Sequence, residues 1–154
     1  MSDPTLKSQV RQEMNAALKS GDKIRLGALR LFLAGITNRE KELLRELTDD
    51  EVREVAAKEV KKRTESIEAF DGAGRSELAQ KERTERDVIA PFAPERLSDE
   101  AVDALVEEAI ATTGATSAKE LGKVMGAVMG RARGRVDGAV VQQKVRARLG
   151  DEPG

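Results

Sequence analysis

Apolar residues recur every three or four positions along most of the chain, which is the period of an amphipathic helix. The pattern predicts a first helix over Pro4–Lys19 and a second over Lys23–Leu44. A third helix begins at the capping sequence Thr48-Asp49-Asp50-Glu51, and a fourth covers Arg75–Ile89. The predicted core positions of the first two helices are Leu6, Val10, Met14, Leu18, Leu29, Phe32, Leu33 and Ile36. Those of the third are Val52, Val55, Ala56, Val60, Ile67 and Phe70.

Two prolines, Pro91 and Pro94, end this first set of helices, because proline lacks a backbone donor and biases the preceding residue toward extended geometry. We therefore expect an N-terminal four-helix bundle over residues 1–90 and a linker over residues 91–97. Phe92, between the prolines, is expected to insert into a core and to fix the linker.

The remaining residues, 98–150, predict a smaller three-helix bundle. Ser98 is placed to cap a fifth helix, whose apolar stripe comprises Val102, Leu105, Val106, Ala109 and Ile110. Ser117-Ala118-Lys119-Glu120 is a second capping pattern and opens a sixth helix, which is expected to stop near Gly134. Asp137 is expected to cap a seventh helix, whose apolar face comprises Val141, Val145 and Leu149.

Composition supports an all-α fold class. Only three residues are aromatic, so Leu, Val, Ile and Ala must fill the core, and 36% of the residues are charged. Such a composition favours helices packed on helices over a sheet rich in aromatic residues. A local basic cluster, Lys58, Lys61, Lys62 and Arg63, has glutamates within one helical turn and is predicted to be partnered surface charge.

The absence of cysteine and histidine limits the chemistry that the chain can perform. Without them there is no disulfide, no thiolate, no imidazole base and no thiolate or imidazole metal ligand. The sequence also lacks a nucleotide-binding loop of the Walker type. We therefore expect no catalytic residues, metal or cofactor, and no catalysis by the chain alone. No apolar run approaches the length of a membrane span, so no membrane association is expected and the cytoplasm is the predicted location.

The sixth helix carries glycine at every fourth position, at Gly122, Gly126 and Gly130, and the pattern continues to Gly134 and Gly138. Each glycine inside a helix costs roughly 1 kcal/mol relative to alanine, so the series requires a compensating reason. Helical placement puts the glycines between the apolar arc and a cationic side. Two interpretations remain open: a neighbouring helix packs tightly against them, or the backbone of a ligand approaches them. We treat Gly122, Gly126, Gly130 and Gly138 as candidate close-approach positions.

Charge concentrates in the same region. Residues 117–150 contain eight basic and two acidic side chains, whereas residues 91–116 contain one basic and six acidic ones. The basic segment is where an anionic partner would bind. The candidate phosphate contacts are Lys119, Lys123, Arg131, Arg133 and Arg135. Since no aromatic residue follows Phe92, an RNA bound here would be recognised by its backbone and shape, with strong salt dependence.

The pattern Leu121-Gly122-Lys123-Val124-Met125-Gly126-Ala127-Val128-Met129, followed by Gly134-Arg135-Val136-Asp137-Gly138, resembles the GatB/YqeY domain family. Further matching segments are Leu29-Arg30, Lys61-Lys62-Arg63 and Pro94-Glu95-Arg96-Leu97-Ser98. The family usually has Tyr-Leu-Pro where this chain has Phe92-Ala93-Pro94, so the ring is kept and a hydroxyl is lost. The resemblance covers nearly the whole chain and implies a two-bundle helical fold.

The resemblance also implies kinship with the tail domain of the B subunit of glutamine-dependent tRNA amidotransferase. That enzyme is a carbon–nitrogen ligase with glutamine as amide donor, and its tail helps recognise tRNA in translation. The leading hypothesis is a non-catalytic module that binds tRNA or another structured RNA, acting beside amidotransferase subunits. The alternative is a protein-interaction module that docks a partner helix on the glycines without RNA. A third, weaker hypothesis is direct participation in amide transfer.

Overall fold

A computed structural model describes residues 5–150, and within them it contains seven α-helices, two short 3₁₀ turns and no strand. The helices are α1 Leu6–Ser20, α2 Lys23–Leu43, α3 Asp49–Gly72, α4 Ser76–Ile89, α5 Asp99–Thr113, α6 Leu121–Ala132 and α7 Gly138–Leu149. The 3₁₀ turns are Ala90–Phe92 and Ala118–Glu120. The predicted all-α fold is confirmed for these residues. The chain divides into two compact units between Pro94 and Glu95, and each is described by itself below.

The first unit contains α1–α4 around one apolar core. Its fully buried side chains include Val10, Leu29, Phe32, Ile36 and Val52, as the helical spacing predicts. The prediction for Leu18 is wrong, because this side chain is 57% exposed. Ala17 lies seven residues after Val10, on the same side of α1, and is buried in its place, so Leu18 turns outward.

The connection between α2 and α3 is fixed by polar contacts. The hydroxyl of Thr48 accepts a hydrogen bond from the backbone N–H of Glu51, and the Glu51 carboxylate accepts one from the N–H of Thr48. This is the predicted capping box, and it satisfies two backbone donors that the helix leaves without partners.

Arg63 has acidic partners, as predicted, but it lies inside the first unit, so its placement on the surface is wrong. Only 6% of Arg63 is exposed, and its guanidinium donates hydrogen bonds to Glu85 and Glu82 of α4. The partners are 19 and 22 positions away on another helix, so the glutamates within one turn of Arg63 did not indicate them. Its Nε has no hydrogen-bond partner in the part of the chain that the structure describes.

The 3₁₀ turn after α4 carries Phe92 into the first core, where 8% of the residue stays exposed. Its ring lies on Phe32 of α2, with 5.4 Å between the ring centroids and 53° between the ring planes. Tilted aromatic pairs of this kind stabilise a core beyond the burial of their area. The expectation that Phe92 inserts into a core is confirmed. The predicted domain boundaries at residues 90 and 98 stay predictions.

The second unit packs α5, α6 and α7 around a core of valines and alanines. The fully or almost fully buried side chains are Val102, Val106, Val124, Val128, Ala132, Val141 and Val145. Ser98 and Asp137 cap α5 and α7 as predicted, each accepting a hydrogen bond from a backbone N–H of the first turn. The small core residues allow α5 and α7 to pack on α6, which carries the glycine series.

Candidate functional site

The entrance to α6 differs from the predicted capping box. Ser117 makes no capping hydrogen bond with its side chain, and a 3₁₀ turn precedes the first α-helical residue, Leu121. Glu120 instead accepts a hydrogen bond from the backbone N–H of Thr116 at 2.7 Å. This backbone hydrogen bond is the main reason that the pKa of Glu120 lies below its usual value. Lys119 therefore lies in the turn before α6 and not on the helix itself.

One side of α6 is anchored in the core of the second unit. Val124, Val128 and Ala132 are at most 1% exposed, and Leu121, Met125 and Met129 pack partly buried against the same core. This is the apolar arc that helical placement predicts. The opposite side of α6 consequently faces away from the core.

The glycines of α6 lie on the uncovered side. Gly122, Gly126 and Gly130, here called the glycine stripe, are all exposed. A Cβ atom placed on any of them would meet no heavy atom within 4 Å beyond the nearby chain and the helix's own backbone. Tight packing of α5 or α7 on the stripe, one of the two interpretations of the sequence, is therefore wrong among the described residues. Gly138, the first residue of α7, likewise has no atom within 4 Å of such a Cβ.

The two candidate lysines lie near the start of α6, Lys119 in the 3₁₀ turn before it and Lys123 in its first turn. Lys119 and Lys123 are exposed, and neither forms a salt bridge with a described residue. Lys123 sits one position after Gly122 and three before Gly126, so the stripe and the lysine share one side of the helix. An anion lying along the stripe would meet positive charge within the reach of a lysine side chain.

The three candidate arginines do not form one group. Arg131 donates a hydrogen bond to Glu108 of α5 at 2.7 Å, and both side chains are exposed. Nε of Arg135 donates to the backbone carbonyl of Glu95 at 2.9 Å, while the carbonyl of Arg135 accepts from the N–H of Leu97. Arg135 therefore holds the start of the second unit in place. Arg133 is exposed, directly after the last residue of α6.

The acidic helix α5 neutralises much of the basic charge of α7. Nζ of Lys144 lies 2.7 Å from Asp103 and 2.8 Å from Asp99. Arg148 pairs with Glu107 at 3.2 Å and lies 3.7 Å from Asp103. The hydrogen bond from Lys144 holds the pKa of Asp103 below its usual value, and the same contact raises the pKa of Lys144. Lys144 and Arg148 of α7 are therefore paired with α5, whereas Lys119 and Lys123 at the start of α6 form no salt bridge with a described residue.

Comparison with known protein families shows which family the chain belongs to. The family model described as Yqey-like protein matches residues 7–149. The chain belongs to the YqeY-like protein family. The match spans both units and contains the glycine stripe, so it confirms the resemblance drawn from the glycine-containing sequence of α6.

Two relatives share about one third of their aligned residues with the chain. An uncharacterized protein of Schizosaccharomyces pombe is 33% identical over 96 residues, which are 62% of this chain and 78% of that protein. A protein of Pyrenophora tritici-repentis, named altered inheritance of mitochondria protein 41, mitochondrial, is 31% identical over 104 residues. The second match covers 66% of this chain and 58% of that longer protein.

Two other kinds of site are absent from the described residues 5–150. No group of three or more Asp or Glu side chains there could hold a metal ion, and no helix there has the length and apolar character needed to cross a membrane. The sequence did not predict the pairing of Arg131 with Glu108 or the hydrogen bond from Arg135 to the carbonyl of Glu95. Arg131 and Glu108 are 23 positions apart, but the acidic excess of residues 91–116 beside the basic residues 117–150 could have indicated pairing between the two segments.

Proposed function

We propose that this member of the YqeY-like family is a non-catalytic module that binds tRNA or another structured RNA along α6. The observation that carries the proposal is the open glycine stripe with Lys123 on the same side of α6 and Lys119 in the turn before the helix. With no side chains beyond hydrogen on the stripe, a phosphate–sugar backbone can approach the helix closely, and the two lysines lie alongside to contact phosphates. Arg131 and Arg133 are both exposed at the far end of α6, and in the proposal Arg131 exchanges its pairing with Glu108 for a phosphate. Arg135 contributes by shaping the loop.

Recognition in this proposal depends on the shape and charge of the RNA. No aromatic residue follows Phe92 in the sequence, so the second unit cannot stack unpaired bases on aromatic rings. Backbone contacts by lysine and arginine give an affinity that falls steeply with salt concentration. Kinship with the amidotransferase tail supports tRNA as the RNA, and the proposed setting is beside amidotransferase subunits. The cytoplasm stays our prediction, although one relative carries a mitochondrial name.

The test is binding of a tRNA transcript, measured by fluorescence anisotropy over a series of salt concentrations. The informative variant is Lys119→Ala/Lys123→Ala, and its matched control is Lys58→Ala/Lys62→Ala, which removes the same charge from exposed positions on α3. The slope of log affinity against log salt is negative. If both lysines contact phosphates, the variant should reduce the steepness of this slope by about two, and the control should not.

Two results would contradict the proposal: no tRNA binding at low salt, or an unchanged slope in the α6 variant. The alternative from the sequence, a partner helix docked on the glycine stripe without RNA, predicts the first of these results. Glutaminase or amide-transfer activity by the purified chain alone would overturn the assignment as non-catalytic.

A further inference from the structure

A second uncovered surface lies on α2, in the first unit. Ile24, Gly27, Leu31 and Ala34 follow one another at spacings of three, four and three residues, so they occupy one side of the helix. All four are exposed, with Ile24 at 44% and Leu31 at 57%. The opposite side of α2 supplies Leu29, Phe32 and Ile36 to the core. We call the four exposed residues the α2 face.

The α2 face is shaped to receive a helix. Its large side chains, Ile24 and Leu31, flank Gly27, where an added Cβ would meet no heavy atom within 4 Å. Small residues between large ones form a notch into which the ridge of another helix can fit at close distance. Leu18, 57% exposed in the last turn of α1, lies at the same end of the α1–α2 hairpin as Ile24.

One edge of the α2 face is positively charged. Lys23, Arg30 and Lys41 are separated by seven and eleven residues, which places them on one line along the helix. All three are exposed, and none forms a salt bridge with a described residue. The nearby glutamates of α2 are already paired, Glu40 with Lys7 and Glu42 with Arg39, each at 2.7 Å. A partner that covers the α2 face is therefore expected to carry negative charge along this edge.

This edge distinguishes among possible occupants. In a second copy related by a twofold axis, with the two α2 helices antiparallel, each edge meets itself and the cations repel. Helices that bind lipid surfaces place bulky apolar residues along their apolar side, whereas the centre of this face carries glycine and alanine. A helix with an acidic edge satisfies both the notch and the charge.

We propose that the α2 face docks an amphipathic helix of another protein. The partner helix places its apolar residues against Ile24 and Leu31, with its backbone over Gly27. A line of Asp or Glu on the partner helix lies opposite Lys23 and Arg30. This surface is separate from the glycine stripe, and the proposal does not depend on RNA binding.

The test is selection from two displayed libraries of helical peptides against the full chain. Both libraries vary Leu, Ile and Ala along one side; the first carries Glu along the adjacent edge, and the second carries Lys there. We expect enrichment from the Glu library alone. Leu31→Glu and Leu31→Ala should each weaken a selected peptide about tenfold or more, because the apolar contact is lost. Arg30→Glu should weaken it as well.

Leu44→Glu is the matched control, since Leu44 is 90% exposed and follows the end of α2. It should leave peptide affinity unchanged, and circular dichroism should show all variants folded. No enrichment, equal enrichment from the Lys library, or selected peptides that bind the Leu31 variants as tightly as the native chain would each overturn the proposal.

Two further measurements examine the other occupants. A dimer in sedimentation that Leu31→Glu abolishes and Leu44→Glu keeps would assign the face to a second copy. Flotation with phosphatidylserine-containing vesicles that shows the same selective loss would assign it to a lipid surface. Either result overturns the proposal. The salt slope of tRNA binding should be the same for Leu31→Glu and the native chain, which separates this surface from the one on α6.

Discussion

Lys144 of α7 and Asp103 of α5 are joined by a hydrogen bond of 2.7 Å, with 17% of the lysine side chain exposed. Nζ of Lys144 also lies 2.8 Å from Asp99. The sequence predicts that the basic segment, residues 117–150, attracts an anionic partner as a whole. In the structure the acidic helix α5 of the same unit pairs with Lys144 and Arg148, so two of the basic side chains of α7 stabilise the unit. Lys119 and Lys123 form no such pair with a described residue.

Replacing Lys144 by Ala should lower the stability of the chain. Two carboxylates, those of Asp99 and Asp103, would lose their shared cation, and the partly buried stem of the lysine would lose its packing. We expect a lower urea midpoint than that of the native chain. Arg146→Ala is the matched control on the same helix, because Arg146 is exposed and has no acidic partner among the described residues. An equal effect of the two substitutions would contradict the assigned role of Lys144.

The buried pair of Arg63 and Glu85 should affect the stability of the chain mainly through the free energy that is lost when one partner is removed. Glu85→Ala leaves the guanidinium of Arg63 buried, with Glu82 as its one remaining partner among the described residues. Removing one member of a buried ion pair typically costs about 3–5 kcal/mol, so a loss toward the lower end of this range is expected. The double variant Arg63→Met/Glu85→Leu should lose much less than the sum of the single changes. Urea unfolding of the native chain, Arg63→Met, Glu85→Leu and the double variant measures the coupling, and strict additivity would contradict it.

The ionisation of Glu51 should make the first unit less stable at low pH. Its carboxylate accepts hydrogen bonds from Arg45 at 2.7 and 2.9 Å and from the N–H of Thr48 at 2.9 Å. These contacts, that with Arg45 foremost, lower the pKa of Glu51 from 4.5 to about 2. Because the folded pKa lies below the unfolded one, the stabilisation is complete above 4.5 and is lost as the pH falls toward 2.

The comparison of native chain and Glu51→Gln tests this pH dependence. The native chain should have the higher urea midpoint at neutral pH, and the difference should shrink as the pH is lowered through the range between the two pKa values. Asp50→Asn serves as the control, since Asp50 pairs with Arg53 but its side chain is 89% exposed. That change should have little effect at any pH, because exposed ion pairs contribute little. A difference for Glu51→Gln that does not vary with pH would refute the argument.

Local patterns in the sequence predict most of the helices and caps. The structure contains the predicted capping box at Thr48 and the predicted caps at Ser98 and Asp137, each of which depends on residues within four positions. The all-α class follows from apolar residues spaced by three and four positions, and it is found as well. The box at Ser117 fails because Glu120 pairs with Thr116 and a 3₁₀ turn replaces the first helical turn. A spacing of three residues permits a capping box but does not enforce one.

Contacts between distant residues could not be predicted in the same way. Arg63 with Glu85 and Arg131 with Glu108 join side chains that are 22 and 23 positions apart, and only the packing of the helices brings them together. The glycine stripe is intermediate between these cases. Helical spacing places it beside the apolar arc, but whether a neighbouring helix covers it depends on how α5 and α7 cross α6.

Gly126 provides the sharpest test of the stripe, because its side of α6 is open. Alanine there should raise the free energy of unfolding by about 1 kcal/mol, since it removes the helix penalty of glycine without a clash. Gly126→Leu should also fold normally. Gly35→Ala is the matched control: its Cβ would lie 3.3 Å from Cγ1 of Val55, so the gain should be smaller or negative. Urea unfolding measures all three changes.

If the stripe also receives RNA, Gly126→Leu should weaken binding of a tRNA transcript while stability is kept. The bulky side chain would hold the phosphate backbone away from the helix, and the contacts of Lys123 would be strained. A loss of stability on Gly126→Leu would show instead that another part of the chain packs there. A stable variant with native tRNA affinity would place the RNA elsewhere, because a ligand that approaches within van der Waals distance of glycine cannot accommodate four added carbon atoms without moving.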